Sequence, residues 1–240
     1  VHRPAGPGAG RGAAAGRIRQ GDGGRLTARH DPVRRSYDAV AETYAAEFGG
    51  ELAGKPLDRA LLGCVAEQTR QTAPGAPIAD LGCGPGHVSA WLARHGARVV
   101  GIDLSPGMVA AGRKEYPEVE FRQGDFLDLP ARDAEFGAAV ALYSIIHLEP
   151  GELTPAFAEM RRVLRPSGLV LVSFHIGAEV RHLDQWWGHE VDIDFRFLEP
   201  PGVAAAVERA GFRVTAQLDR VSYPAEVDTR RGYLLAQRRD

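Results

Sequence analysis

From residue 33 onward the spacing of apolar positions switches repeatedly between two periods. Val33, Tyr37, Val40, Ala41, Tyr44 and Phe48 recur at three- and four-residue steps, which predicts a helix with one apolar stripe, ending at Gly49-Gly50. A second helical stretch runs from Leu57 to Thr72. Short apolar runs then begin. Those at 77–81, 98–102, 119–122, 138–143 and 169–174 read as strands, and the run at 138–143 is nearly all apolar, as in a strand buried on both faces. Helical spacing returns between them: at Val88, Trp91 and Leu92, which open a helix, from Pro106 to Lys114, and at Leu153, Phe157, Met160 and Leu164, where Arg165-Pro166-Ser167-Gly168 closes the helix. Strands that alternate with helices form βαβ units, so the expected fold is α/β with a mostly parallel sheet and helices on both faces. A last helix from Pro201 to Ala210 stops at Gly211. The strands at 212–218 and 232–238 follow with no helix between them, which predicts an antiparallel pair at one edge of a seven-stranded sheet.

Composition narrows the picture. The 240 residues are 44% apolar and 25% charged with a net charge of −2, the profile of one globular domain with an appendage. No apolar run approaches the ~20 residues of a membrane span, and the N-terminal stretch of Gly, Ala and Arg is not a signal peptide, so a cytoplasmic location is expected. Cys64 and Cys83 cannot build a disulfide framework or a multi-thiolate zinc site, and no metal is expected. Residues 1–24 hold eight Gly among Ala, Pro and Arg, too little apolar surface to offset ordering, and are expected to be a disordered tail preceding a domain at 25–240. Arg outnumbers Lys 27 to 2 along the whole chain, so the Arg in this tail is weak evidence for nucleic-acid binding.

The chemistry concentrates where the first strand ends, at Asp80-Leu81-Gly82-Cys83-Gly84-Pro85-Gly86. Glycines let the chain turn sharply out of a strand and admit a ligand close to the backbone, while the following helix offers free N–H groups. Asp103 ends the second strand 21 residues after Gly82, where a carboxylate accepts ribose hydroxyls. A dinucleotide turn needs glycine at position 87, which is His87 here, and Asp80 beside the turn favours a cationic ligand over phosphates. That disfavours a nicotinamide oxidoreductase, the rival enzyme class; a cofactor-binding subunit without chemistry is the non-enzyme rival.

These residues resemble the class I S-adenosylmethionine-dependent methyltransferases. Asp80 to Gly86 is similar to that family's first motif, and 101–108 to its ribose-binding strand end and helix. Gly124-Asp125-Phe126-Leu127-Asp128-Leu129-Pro130 is similar to its adenine loop, and 162–169 to its late helix-to-strand turn, with Ser167 in place of a more usual glycine. The resemblance spans about residues 33–238 and implies a Rossmann-like sheet and S-adenosylmethionine as cofactor. It implies that Gly82, Gly84 and Gly86 lie against the methionine part, with Asp80 organising the ammonium group. Asp103 would hold the ribose, Leu104 pack on adenine, Asp125 accept from the adenine amino group and the backbone of Phe126 meet a ring nitrogen. Tyr37 and Tyr44 resemble aromatic residues that close over the cofactor, although simple helix packing accounts for them as well.

Tyr143 to His147 stands where the family meets cofactor and substrate. It lacks the Asn/Asp-Pro-Pro-aromatic signature of enzymes that methylate planar amino groups, so a small molecule is the expected partner, with O-methylation slightly favoured over N or C. His147 is the candidate general base, because neutral imidazole takes a proton near pH 7, and His175 at the fifth strand's end is a second candidate. The insertion at 176–200 carries Trp186 and Trp187 as candidate substrate residues. Within it Val191, Ile193, Phe195 and Phe197 alternate with polar residues, a strand with one apolar face that covers the site or serves as a dimer edge. A monomer or homodimer is expected.

Overall fold

The computed structural model describes residues 29–240; the expected tail at 1–24 lies outside the described residues. Seven strands form one sheet: β1 (Ile78–Leu81), β2 (Val99–Asp103), β3 (Glu120–Gln123), β4 (Phe136–Leu142), β5 (Leu164–His175), β8 (Phe212–Arg220) and β9 (Arg231–Arg238). Their order is β3-β2-β1-β4-β5-β9-β8, with β9 antiparallel to both neighbours and the other pairings parallel. The expected mostly parallel sheet with an antiparallel edge pair is therefore present.

The apolar runs are continuous because both faces of the central strands are covered. In β4, Ala138 and Val140 join one cluster, with Leu62, Val65 and Ala66 of α2 (Pro56–Thr72) and Val88 and Leu92 of α3 (His87–Arg94). Ala139 and Ala141 face the opposite cluster, with Phe157, Met160 and Val163 of α5 (Leu153–Val163) and Val203, Ala206 and Val207 of α6 (Pro200–Arg209). Helix α4 (Pro106–Glu115) begins on Ser105, whose Oγ accepts the Met108 N–H at 3.0 Å, a side-chain N-cap. Helix α1 (Asp31–Phe48) packs on α4 through Val40, Ala41 and Met108.

Two expectations change in detail. The segment 165–168 belongs to β5, which starts at Leu164 directly after α5, and the irregularity appears instead as a register shift opposite Phe136 and Ala138 with Ser167 at φ 60°. The insertion is a hairpin rather than one strand: β6 (Val180–Trp186) pairs antiparallel with β7 (His189–Arg196). The apolar face of β7 lies on α1, where Val191 and Ile193 join its cluster and the Asp192 N–H donates to Ser36 Oγ at 2.8 Å. Among the described residues no helix is long and apolar enough to cross a membrane.

Candidate active site

The sheet's ladder runs on into the glycine turn, since the Gly82 N–H donates to the Ile102 carbonyl at 2.7 Å. Gly82 then takes φ 65°, and a Cβ there would stand 2.3 Å from Ser144 Cβ, so only glycine fits the approach of the turn to the segment after β4. At Gly84, φ 54°, a Cβ would meet only the Tyr44 ring at 3.7 Å, which leaves this backbone open toward a cavity of about 780 Å³. Gly86 turns away: it caps α3, packs on Phe121 and is not on the cavity wall.

Three buried carboxylates surround the turn. Asp103 accepts the Gly84 N–H at 2.7 Å and the Ser105 N–H at 2.9 Å, one on each oxygen, and keeps a lone pair on each for a diol. Asp80 accepts from Ser89 Oγ at 2.6 Å. Burial raises both carboxyls to about 6. Asp125 accepts the Leu127 N–H at 2.8 Å on one oxygen and faces His30 Nδ1 at 2.7 Å with the other. His30 is a residue that sequence reasoning missed. It lies buried between Asp125 and Glu152, whose Oε2 is 3.2 Å from Nε2, and the Asp125 hydrogen bond raises its imidazole to about 8. Asp80, Gly82, Gly84, Asp103, Leu104, Asp125 and Phe126 all line the cavity. This donor set, acidic around an open glycine backbone, fits the ribose and cationic amino-acid end of S-adenosylmethionine better than a pyrophosphate.

The hairpin and α1 close one side. Tyr37, Tyr44 and Trp186 pack edge to face with ring centroids 5.8–5.9 Å apart, and all three line the cavity. Trp187 does not: it sits at the two-residue turn of the hairpin with φ 49°, followed by Gly188 at φ 80°, and is 39% exposed. Adjacent tryptophans are thus divided between wall and turn.

His147 lies in a 3-10 turn after β4. Its Nδ1 is 3.0 Å from the Asp194 carbonyl, which obliges that nitrogen to carry the proton, and Nε2 therefore accepts the Tyr37 hydroxyl at 2.7 Å. Burial pulls the imidazole down to about 4. The expectation that His147 takes an acceptor's proton directly meets a ring with both nitrogens already engaged. His175 Nδ1 pairs with Thr229 Oγ1 at 2.8 Å, and burial, reinforced by Arg231, Lys55 and Arg181, lowers it also to about 4. Tyr143 and His175 form the far wall with Lys55, Asp58 and Glu226, the last three being members that the sequence pattern did not mark. Their only signal is a long-range contact such as Tyr233 Oη to Asp58 Oδ2 at 3.0 Å, across 175 residues.

Residues 78–168 match a family model described as a methyltransferase domain. The chain is 33% identical over 144 residues to a demethylmenaquinone methyltransferase of Chlorobaculum parvum, and spans 58% of that protein's length, using 58% of its own. It is 28% identical over 206 residues to a malonyl-[acyl-carrier protein] O-methyltransferase of Serratia marcescens, covering 83% of this chain and 77% of the relative. Its fold is similar to that of a magnesium protoporphyrin IX methyltransferase from Synechocystis PCC 6803 solved with bound S-adenosylmethionine, with TM-score 0.65, 17% identity, and coverage of 88% of this chain and 97% of the other. The motif order, the sheet topology, the acidic glycine turn and these likenesses agree: residues 78–168 match a methyltransferase domain, set in the Rossmann-like fold of the S-adenosylmethionine-dependent methyltransferases.

Proposed function

We propose that this chain transfers a methyl group from S-adenosylmethionine to an oxygen of a small-molecule acceptor. One observation carries the reading: a single cavity runs from the carboxylates Asp103 and Asp125 to an aromatic chamber bounded by Tyr143, His175, Trp186 and Phe197. Such a cavity has room for a cofactor at one end and an acceptor at the other. The malonyl-carrier relative is an O-methyltransferase by name, which supports oxygen as the acceptor atom.

When bound, the cofactor supplies a methyl group already activated on a sulfonium, so the protein's work is chiefly alignment and exclusion of water. Asp103 would hold the ribose, Leu104 would pack on adenine, the backbone of Phe126 would meet a ring nitrogen, Asp125 would accept from the amino group, and Gly82 and Gly84 would admit the methionine part with Asp80 behind them. Gly86 serves by setting the start of α3. Tyr37 and Tyr44 close over this end under the hairpin. His147 acts as a positioning residue, since its Nε2 fixes the Tyr37 hydroxyl across the cleft. Trp186 and His175 bound the acceptor, and Trp187 stiffens the hairpin turn by stacking on Trp186 at 4.7 Å.

The test has two parts. Calorimetry should show S-adenosylmethionine binding to the full chain, and incubation of small-molecule extracts with methyl-labelled cofactor should yield labelled product whose label is released as a methyl ether or ester. Absence of cofactor binding would refute the reading; label fixed on nitrogen or carbon would refute the choice of oxygen.

A further inference from the structure

Tyr143 has an uncommon backbone for its residue type. Its φ of 54° lies in the left-handed region, which a non-glycine residue rarely adopts, and such strain gathers at functional sites. The residue follows β4 directly, and its N–H is anchored on the Ser173 carbonyl at 3.0 Å. From there its side chain lines the cavity and reaches a buried chain of hydroxyls. Tyr143 Oη is 3.1 Å from Tyr233 Oη, Tyr233 Oη is 3.0 Å from Asp58 Oδ2, and Arg220 Nε donates to the same Tyr233 oxygen at 2.9 Å.

Counting hydrogens fixes the direction of this chain. Tyr233 has one hydroxyl hydrogen, and the Asp58 carboxylate takes it. Arg220 has only donors. The hydrogen between the two tyrosines must then come from Tyr143, and toward a ligand in the cavity the Tyr143 oxygen can only accept. Beside it the walls are flat rings: His175 lies 5.4 Å from the Tyr143 ring and 5.3 Å from Phe197, centroid to centroid. Such faces suit an aromatic ring better than a branched aliphatic one.

We infer that the acceptor is an aryl hydroxyl that donates its hydrogen bond to Tyr143, and that its proton leaves through Tyr143 and Tyr233 to Asp58. The inference rests on the methyl-transfer reading above. As the acceptor's O–H bond breaks, a new O–H bond forms on Tyr143; the hydrogen of Tyr143 passes to Tyr233 and that of Tyr233 to Asp58 Oδ2. The acceptor oxygen keeps the electron pair that methylation uses. Over the whole reaction the positive charge of the methyl donor and the negative charge of Asp58 vanish together. Tyr143 touches the acceptor, whereas Tyr233 and Asp58 are positioning residues that act through it.

Asp58 suits the end of the chain. It is 1% exposed, and its Oδ1 has no hydrogen-bond partner among the described residues, so its carboxylate is under-solvated and avid for a proton. The charged and titratable groups around the chain are Lys55 ahead of α2, His175 on β5, Arg220 on β8, Glu226 in the following loop and Arg231 on β9. Lys55 and Arg220 keep Asp58 ionised before reaction, while its burial raises it toward a useful base.

The experiment uses the full chain with 4-methylphenol as probe and toluene as its partner lacking the hydroxyl. With S-adenosylhomocysteine present, calorimetry should show 4-methylphenol binding about fivefold to tenfold tighter than toluene, the scale of one hydrogen bond, and Tyr143→Phe should abolish the difference. With S-adenosylmethionine, Asp58→Asn and Tyr233→Phe should each lower kcat for 4-methylanisole formation roughly a hundredfold and remove the acid limb of its pH profile, with KM unchanged. Asp58→Asn keeps the shape of the buried site should Tyr233→Phe unfold. Equal binding of the two probes by the wild type, bound 4-methylphenol that accepts no methyl, or variants with the wild-type pH profile would each overturn the inference. Failure of the wild type to bind S-adenosylmethionine at all would overturn the methyl-transfer reading instead.

Discussion

Replacing Gly82 with Ala tests how tightly the glycine turn is pressed against the segment that follows β4. Two costs add at this position. The backbone sits at φ 65°, where a Cβ costs about 1–2 kcal/mol, and the new methyl group would lie 2.3 Å from Ser144 Cβ and 2.9 Å from Ser144 Oγ. Ser144 is buried and its Oγ donates to the Leu81 carbonyl at 2.8 Å, so it cannot swing aside without breaking that bond. Overpacking of this kind costs a further ~1–3 kcal/mol. The variant should lose about 2–5 kcal/mol, or about 5–15 °C in Tm for a chain of this size. Gly84→Ala carries the backbone cost alone, since the nearest atom to its added Cβ is 3.7 Å away. Thermal denaturation of both variants, with Gly82→Ala/Ser144→Gly as a double variant, separates the two contributions. Removing the Ser144 Cβ should restore part of the loss specific to Gly82→Ala. Equal loss at Gly82 and Gly84, or no rescue by the double variant, would show that the contact does not constrain the turn.

Asp103→Ala should weaken S-adenosylmethionine by about 1.5–3 kcal/mol in calorimetry, the scale of hydrogen bonds to a charged acceptor, and unchanged affinity would remove Asp103 from the ribose site. His30, raised from 6.5 to about 8 by its bond to Asp125, contributes stability that is full below pH 6.5 and is lost as pH rises through about 8. The gap in unfolding free energy between the wild type and His30→Gln should therefore shrink by about 2 kcal/mol across that window; a constant gap would mean that the imidazole does not carry the charge. Trp186→Phe should raise the acceptor KM with cofactor affinity unchanged, whereas Trp187→Phe should leave it alone. The opposite order would put Trp187, not Trp186, in the cavity.

The scaffold was legible where burial is two-sided. Strands such as 138–142 have both faces covered, so they appear as unbroken apolar runs, and the turn at Gly82 announces itself because a left-handed backbone pressed against Ser144 calls for glycine. Strand β6 was missed for the converse reason. Most of its side chains face water, and Val180, Leu183 and Trp186 are too sparse to set a period. Its turn was hidden too, since Trp187-Gly188 adopts a conformation usually signalled by Asn-Gly. His30, Asp58 and Tyr233 were beyond periodicity altogether. His30 follows a stretch of Gly, Ala and Arg and meets Asp125 across 95 residues, and neither local propensity nor spacing encodes such a meeting. For His147 the sequence marked the place, but its accepting nitrogen is held by Tyr37 from the far side of the cleft, a partner visible only after folding.

The position of β9 has a consequence for how the domain is assembled. Strand β8 joins the sheet only through β9, which inserts between it and β5. A nascent chain synthesised as far as residue 230 therefore carries β8 without a neighbour, together with the unclaimed edge of β5. Its side chains suit that exposure, since Arg213, Gln217 and Asp219 discourage pairing with foreign strands. Arg231, which lines the cavity, and Tyr233, which backs Tyr143, arrive on the same late strand, so the polar wall is completed only when the sheet is sealed. The arrival of β9 thus both locks the sheet and completes this side of the cavity, and a product lacking β9 should be recognised by proteolysis of β8.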